Sequence, residues 1–220
     1  ISVAGNISID SSISLTNSSI GVSLNGGSYT VTTGDISVGN NSIWIYGTNM
    51  TGGTISQSGA TMNVGNNGVG IYGSGSGNIN LTMSTGITLG SNNSIGVYAE
   101  GINTSVTGNI IVGTNTSIGI VSEGNGDVTY NGIMTIADKG TGENDTGSVG
   151  IYKKEGTGII STSADNWSVG KSGYGIFVKQ TTGESATINN GTHMNLEMSA
   201  VGIFSDGANI INNFGNITVG

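Results

Sequence analysis

Ser94-Ile95-Gly96-Val97-Tyr98 is the clearest copy of a five-residue figure that the 220-residue chain writes again and again: a small residue, an apolar one, Gly, a β-branched one and usually an aromatic. It returns as Gly68-Val69-Gly70-Ile71-Tyr72, Ser148-Val149-Gly150-Ile151-Tyr152, Gly173-Tyr174-Gly175-Ile176-Phe177 and Ala200-Val201-Gly202-Ile203-Phe204. Looser copies are Ser19-Ile20-Gly21-Val22-Ser23, Ser42-Ile43-Trp44-Ile45-Tyr46, with Trp in the Gly slot, and Ser117-Ile118-Gly119-Ile120-Val121. The central positions are separated by 23, 26, 26, 23, 31, 25 and 27 residues. Self-similarity at a period in the twenties marks a solenoid, in which each repeat buries its apolar side only by stacking on its neighbours.

Two further elements complete the repeat. An alternating apolar pair closed by Gly lies upstream of the figure, as in Ile36-Ser37-Val38-Gly39, Met62-Asn63-Val64-Gly65, Ile87-Thr88-Leu89-Gly90 and Ile110-Ile111-Val112-Gly113. A less regular strand follows it, as in Tyr29-Thr30-Val31, Ile79-Asn80-Leu81 and Val128-Thr129-Tyr130. Short alternating runs bounded by Gly, Asn and Ser read as strands joined by corners. The expected fold is all-β, a right-handed parallel β-helix of about eight coils with three short strands each; parallel crossovers are overwhelmingly of that hand. At ~4.8 Å per coil the rod is roughly 38 Å long. An antiparallel β-sandwich is the rival, but it does not predict a sentence repeated every twenty-odd residues.

In this reading the Ile and Val on either side of the motif Gly point inward, while the Gly and the aromatic point out. At the N-terminal end, Gly5-Asn6-Ile7-Ser8-Ile9 looks like the alternating pair. Ile13-Ser14-Leu15 intervenes before Ile20, so an insertion or a shifted register is expected there.

Composition supports strands. The chain has 29 Ile and 16 Val against 5 Leu, a β-branched bias that disfavours helices, and no stretch has sustained helical periodicity. With 41 Gly and no Pro it superficially suggests disorder, which the apolar repeat overrides. A formal charge of −8 and only five Lys, with no Arg, argue against nucleic acid and against anionic lipid surfaces. Without Cys there is neither disulfide nor thiolate metal site. The repeat runs through residues 1–220 as one domain, and both ends fall inside a repeat unit, so a fragment or processed piece of a longer polypeptide is expected. Residues 1–99 hold only Asp10 and Asp35 as charges, so a charged recognition surface belongs to the later coils.

The outward aromatic column, Tyr46, Tyr72, Tyr98, Tyr152, Phe177 and Phe204, interrupted by Val121, serves either as a ladder shielding the Gly column or as a platform for a sugar or protein partner. Trp44 is the first position to examine for binding; the alternative is a surface ring lying over neighbouring glycines. The 31-residue gap holds Ala137 to Gly147, expected as an exposed loop with Asp138, Lys139, Glu143 and Asp145 as contact residues. Its acids lack the spacing of an EF-hand, as do those of Glu123 to Asp127, so no metal and no cofactor is expected. Lys153 and Lys154 read as a polar corner first and a contact patch second.

No catalytic residue is assigned and an enzyme is not expected. The one histidine, His193, sits in a strand-like context and reads as structural; Gly73-Ser74-Gly75-Ser76-Gly77 has the letters of a nucleophile elbow without the following helix; and no acidic column recurs at the coil period. The alternative function is a carbohydrate-active β-helix of the polysaccharide lyase or tailspike type.

The figure in Gly34-Asp35-Ile36-Ser37-Val38-Gly39-Asn40-Asn41-Ser42-Ile43-Trp44-Ile45-Tyr46 and in Gly108-Asn109-Ile110-Ile111-Val112-Gly113-Thr114-Asn115-Thr116-Ser117-Ile118-Gly119-Ile120 resembles the passenger repeats of large autotransporter adhesins, especially the fusobacterial kind. The resemblance covers nearly the whole chain and is one of repeat style. It implies type V secretion, display on the outer face of the bacterial outer membrane, anchoring by a separate C-terminal β-barrel, and attachment to a protein or glycan receptor on other bacteria or host cells. It assigns no binding residue.

Overall fold

The computed structural model describes residues 2–3, 7–31, 34–143, 145–164 and 166–220. Ile1, Gly5, Asn6 and Asn144, which figure in the reading above, lie outside them. Every element among the described residues is a strand, and every strand pair is parallel. The chain is a parallel β-helix.

The motif copies make one sheet. Its strands run in chain order from Ser2–Val3 through Ile20–Asn25, Ile43–Thr48, Val69–Ser74, Ile95–Glu100, Ile118–Glu123, Val149–Lys154 and Tyr174–Lys179 to Val201–Asp206, each beside the next. The remaining two segments of each coil make a second sheet of sixteen strands. In one coil they are the separate strands Asn103–Thr107 and Ile110–Val112; in two others they fuse into the long strands Thr54–Val64 and Asn78–Leu89, whose pairing shifts between Met83 and Gly86. Three short strands per coil is therefore the rule, with these two coils as exceptions.

Equivalent letters lie over one another. Ile71, Val97, Ile120, Ile151 and Ile176 form one row in register, all at 0% exposure. Across the interior stand Ile36, Met62, Ile87, Ile110 and Met134. Stacking of like side chains at every rung is what lets short strands of modest propensity persist.

The inward face differs from the sequence reading in two respects. The residue after the motif Gly points in, but the residue before it points out, and the Gly itself faces the core. Ile20 is 54% exposed, and a Cβ built on Gly70 would lie 2.7 Å from Met62 Sδ. Gly and its successor are thus both interior, so the strand breaks its two-residue alternation there. At most copies the neighbouring backbone is close as well: a Cβ on Gly119 would stand 2.6 Å from Gly150 O.

The small residue opening the figure has its own role. Ser94, Ser117 and Ser148 are fully buried, and each hydroxyl donates to the carbonyl of a corner Gly, Ser94 to Gly65 at 2.9 Å, Ser117 to Gly90 at 3.0 Å and Ser148 to Gly113 at 2.7 Å. Their oxygens also accept from the backbone of the adjacent coil, Ser94 N to Ser117 Oγ and Ser117 N to Ser148 Oγ. Corner asparagines form a second chain of bonds: Asn40 N donates to Asn17 Oδ1, Asn66 N to Asn40 Oδ1 and Ser91 N to Asn66 Oδ1. Buried or turned backbone groups that no ladder reaches are satisfied in this way.

The N-terminal coil shifts register by one residue, its partners lying 22 residues on at Ile7–Ile9 and 23 residues on at Ile13-Ser14. Ile13-Ser14 pairs with Ile36-Ser37, and Ile7–Ile9 pairs with Tyr29–Val31. Ile13-Ser14-Leu15 is therefore the alternating pair, and Thr16-Asn17 stands where later coils have Gly-Asn.

Candidate binding surface

The two sheets present different chemistry to solvent. Outward positions of the second sheet are mostly hydroxyls and amides: Ser37, Asn63, Thr88, Thr135, Ser168 and Asn195 stand in register, all exposed, with Ile111 in the same column and Ile159 and Ile210 elsewhere on the sheet as apolar members. The motif sheet presents two apolar columns. One is Ile20, Ile43, Val69, Ile95, Ile118, Val149, Tyr174 and Val201, the residues before each Gly. The other is the aromatic column.

The rings stack on one another. Tyr46 and Tyr72 lie 5.0 Å apart and nearly parallel, and Tyr72 and Tyr98 lie 5.4 Å apart. After Val121 the column resumes with Tyr152 edge-on to Phe177 at 5.5 Å, and Phe177 stacks on Phe204 at 4.6 Å. Such contacts add to the area they cover, so the ladder stabilises adjacent coils. They also leave ring edges, not open faces, toward solvent. Around Ile118, Val149, Tyr152, Tyr174 and Phe177 the surface sinks into an apolar hollow of about 140 Å³.

A polar column borders the rings. In register it reads Ser74, Glu100, Glu123, Lys154, Lys179 and Asp206. Tyr72 donates its hydroxyl to Glu100 Oε2 at 2.5 Å, and Tyr98 donates to Glu123 Oε2. Glu123 also pairs with Lys154 Nζ at 2.7 Å. The Lys154 ammonium, then the Tyr98 hydroxyl, hold the Glu123 carboxyl below its ordinary range, while burial and the Glu100 carboxylate push the Tyr72 phenol up to about 12. Charged bonds of this kind fix the hydroxyl ends of the rings.

No family model, curated protein or solved structure matches the chain. Function therefore has to be argued from the surface itself.

Of the residues singled out in the sequence, two are not on the surface. Trp44 is 1% exposed: its ring lies in the core over Gly21, edge-on to Tyr29 at 5.9 Å, and its Nε1 donates to Gln57 Oε1 at 3.2 Å. Because the Gly slot faces inward, a large residue there enters the core instead of covering the surface. Lys153 is at 0% exposure, in the interior column of Ala99, Ser122 and Val178. Its ammonium donates to Ser122 Oγ at 3.3 Å and to Gly124 O. Burial pushes its pKa down to about 8 against the opposing pull of Asp127 and Glu184.

Lys154 does lie at the surface, within the charged column. The 137–147 segment leaves the stack as expected, but its charges are spread apart. Asp138 accepts from Lys171 N at 2.9 Å and lies 3.8 Å from the Lys171 ammonium, and Lys139 N donates to Lys171 O at 3.0 Å, so the root of the loop is tied to the next coil. Asp145 accepts from Gly142 N at 2.5 Å, and Glu143 is exposed. Among the described residues no three His, Asp or Glu converge as a metal site. His193 accepts from Asn216 N through Nδ1, a corner bond between coils.

Sequence reasoning missed the aliphatic half of the strip and the Glu100 to Asp206 column. The signal was present: aligning the copies by their Gly places these residues at fixed offsets.

Proposed function

We propose that the chain is an adhesion module, a segment of a passenger rod displayed on a bacterial cell surface, whose motif sheet is the contact face. The observation that carries this reading is the continuous two-column strip of partly exposed aliphatic and aromatic side chains running the length of one face of a rod whose other face is mostly polar, with apolar residues there only singly. Apolar strips with a polar rim are the usual composition of contact surfaces. The repeat style shared with autotransporter passengers supports secretion and surface display, and coils that fold one upon the next suit a chain emerging through a membrane pore. The partner class is a macromolecule on another cell, protein or glycan.

The test compares two surface variants with the parent for binding to whole bacteria and host cells. In the first, Ile95, Ile118 and Val149 become Ser; in the second, Asn63, Thr88 and Thr135 on the opposite sheet become Ala. Binding lost in the first and kept in the second is expected. Equal binding by both would overturn the assignment of the contact face.

A further inference from the structure

We propose that the motif sheet binds a second copy of itself, the two rods lying antiparallel and face to face. The inference rests on the motif sheet being the contact face and names its partner. What points to it is the order of charge along the rim: Glu100, Glu123, Lys154, Lys179 on successive rungs. This order is antisymmetric about the midpoint between Glu123 and Lys154. A two-fold axis placed there, parallel to the strands, reverses the rod and turns one sheet onto the other while keeping the charged column over its own copy. Glu100 then faces Lys179 of the second copy, Glu123 faces Lys154, and both contacts occur twice. Parallel rods, or axes one rung higher or lower, bring like charges together, whereas here the one unmatched charge is Asp206, opposite Ser74. An isologous interface requires self-complementarity of this kind, and like-charge contacts exclude the alternative registers.

The apolar columns obey the same operation. Val121, the short member of the aromatic column and already covered within its own chain, comes opposite Tyr152 of the second copy. Tyr98 faces Phe177 and Tyr72 faces Phe204. In the aliphatic column Ile118 faces Val149 and Ile95 faces Tyr174, placing aliphatic side chains over the hollow bounded by Val149, Tyr174 and Phe177. Sheets packed face to face sit about 10 Å apart, a span that opposed Glu and Lys side chains bridge from the rim.

Size sets the strength. Six rungs overlap, about 24 to 29 Å of rod at ~4.8 Å each, and six-residue strands are about 20 Å wide. The face therefore covers roughly 500 to 600 Å² per copy, below the ~800 Å² of a standard stable interface and in the range of weak, reversible contacts. A single pair is transient, and arrays of rods on two apposed surfaces hold through multivalency.

The experiment is sedimentation equilibrium of the whole chain from micromolar to millimolar concentration, in low and high salt, with a charge swap. One variant carries Glu100→Lys with Glu123→Lys and the other Lys154→Glu with Lys179→Glu. The parent is expected to dimerise reversibly, more weakly in high salt. Each variant alone should associate at least about tenfold more weakly, and an equimolar mixture of the two should recover the parental association. If either variant loses its far-UV strand spectrum, the exposed single changes Glu100→Lys and Lys179→Glu make the same swap at one contact. A parent monomeric throughout, variants that dimerise like the parent, or a mixture that does not recover would each overturn the proposal. End-to-end association of rods gives the second of these results. A chain that stays monomeric yet binds cells through the strip defeats self-recognition and leaves the adhesion reading standing; a chain that dimerises by the swap but binds no cells does the reverse.

Discussion

Replacing Lys153 by Met tests whether a cation is held inside this rod. The ammonium is fully buried, and its pKa is pushed from 10.5 to about 8. Each pKa unit corresponds to 1.36 kcal/mol, so keeping the proton on Lys153 at neutral pH costs the folded state about 3 kcal/mol relative to the unfolded chain. The sign is fixed by proton counts. Between pH 8 and 10.5 the unfolded lysine holds a proton that the folded one has lost, so stability rises with pH; the full penalty applies below about pH 8 and has vanished above 10.5. Above about pH 9 buried phenols oppose the trend, because burial raises Tyr29, Tyr72, Tyr98, Tyr130 and Tyr152 while unfolded tyrosines ionise near 10. Lys154, raised by Glu123, titrates above this range. The clean window is pH 8 to 9, and the expected gain across it is about 1 kcal/mol. The Met variant removes the charge but leaves Gly124 O without its donor, at a cost of about 1 to 3 kcal/mol. At pH 7 it should therefore equal the parent or exceed it by up to about 2 kcal/mol. Its urea midpoint should stay flat where that of the parent climbs. A parent midpoint that does not rise between pH 8 and 9, or a Met variant that rises equally, would refute the reasoning.

The other predictions concern packing and the loop. Ile151→Asp places an unpaired carboxylate in an interior row and should lower stability by several kcal/mol, roughly 3 to 5, or prevent folding, as read from the urea midpoint; a variant as stable as the parent would mean the row faces water. Gly119→Ala forces a methyl against Gly150 O and should cost about 1 to 3 kcal/mol in the same assay, whereas an added methyl at Gly52, with open space around it, meets only the cost of its left-handed backbone, about 1 kcal/mol. Trp44→Gly, although it restores the motif letter, should destabilise by about 3 to 5 kcal/mol through the cavity it leaves. Deleting residues 139–146 reduces the 31-residue spacing to 23, a length that two other coils already use, and should leave the far-UV spectrum strand-like and the midpoint within about 1 kcal/mol of the parent.

The stacking of coils was legible because one letter, Gly, marks the same point in nearly every copy, and vertical alignment then follows from the period. Orientation was harder to read. Alternation assumes that neighbours face opposite ways, and the Gly and β-branched pair of the motif breaks that rule while leaving no side chain at the Gly to reveal it. Ile95 consequently reads as core and is part of the outer strip; Trp44 reads as surface and is core. Lys153 misleads for a related reason. Its charge indicates solvent, and only comparison with Ala99, Ser122 and Val178 on neighbouring rungs shows that the position is interior. In the first coil, Thr16-Asn17 in place of Gly-Asn concealed a corner that pairing of Ile13 with Ile36 makes plain.

Because every strand pair is parallel and successive coils lie one over another, the hydrogen bonds between coils point along the rod. Tension applied to its two ends strains those bonds lengthwise and detaches coils singly, like turns leaving a spool, where a sheared sheet would break all at once. Each coil set free supplies 23 to 31 residues of slack, about 80 to 110 Å of extended chain. A rod built this way lengthens in steps under a pull, and the turns still wound keep their own stack.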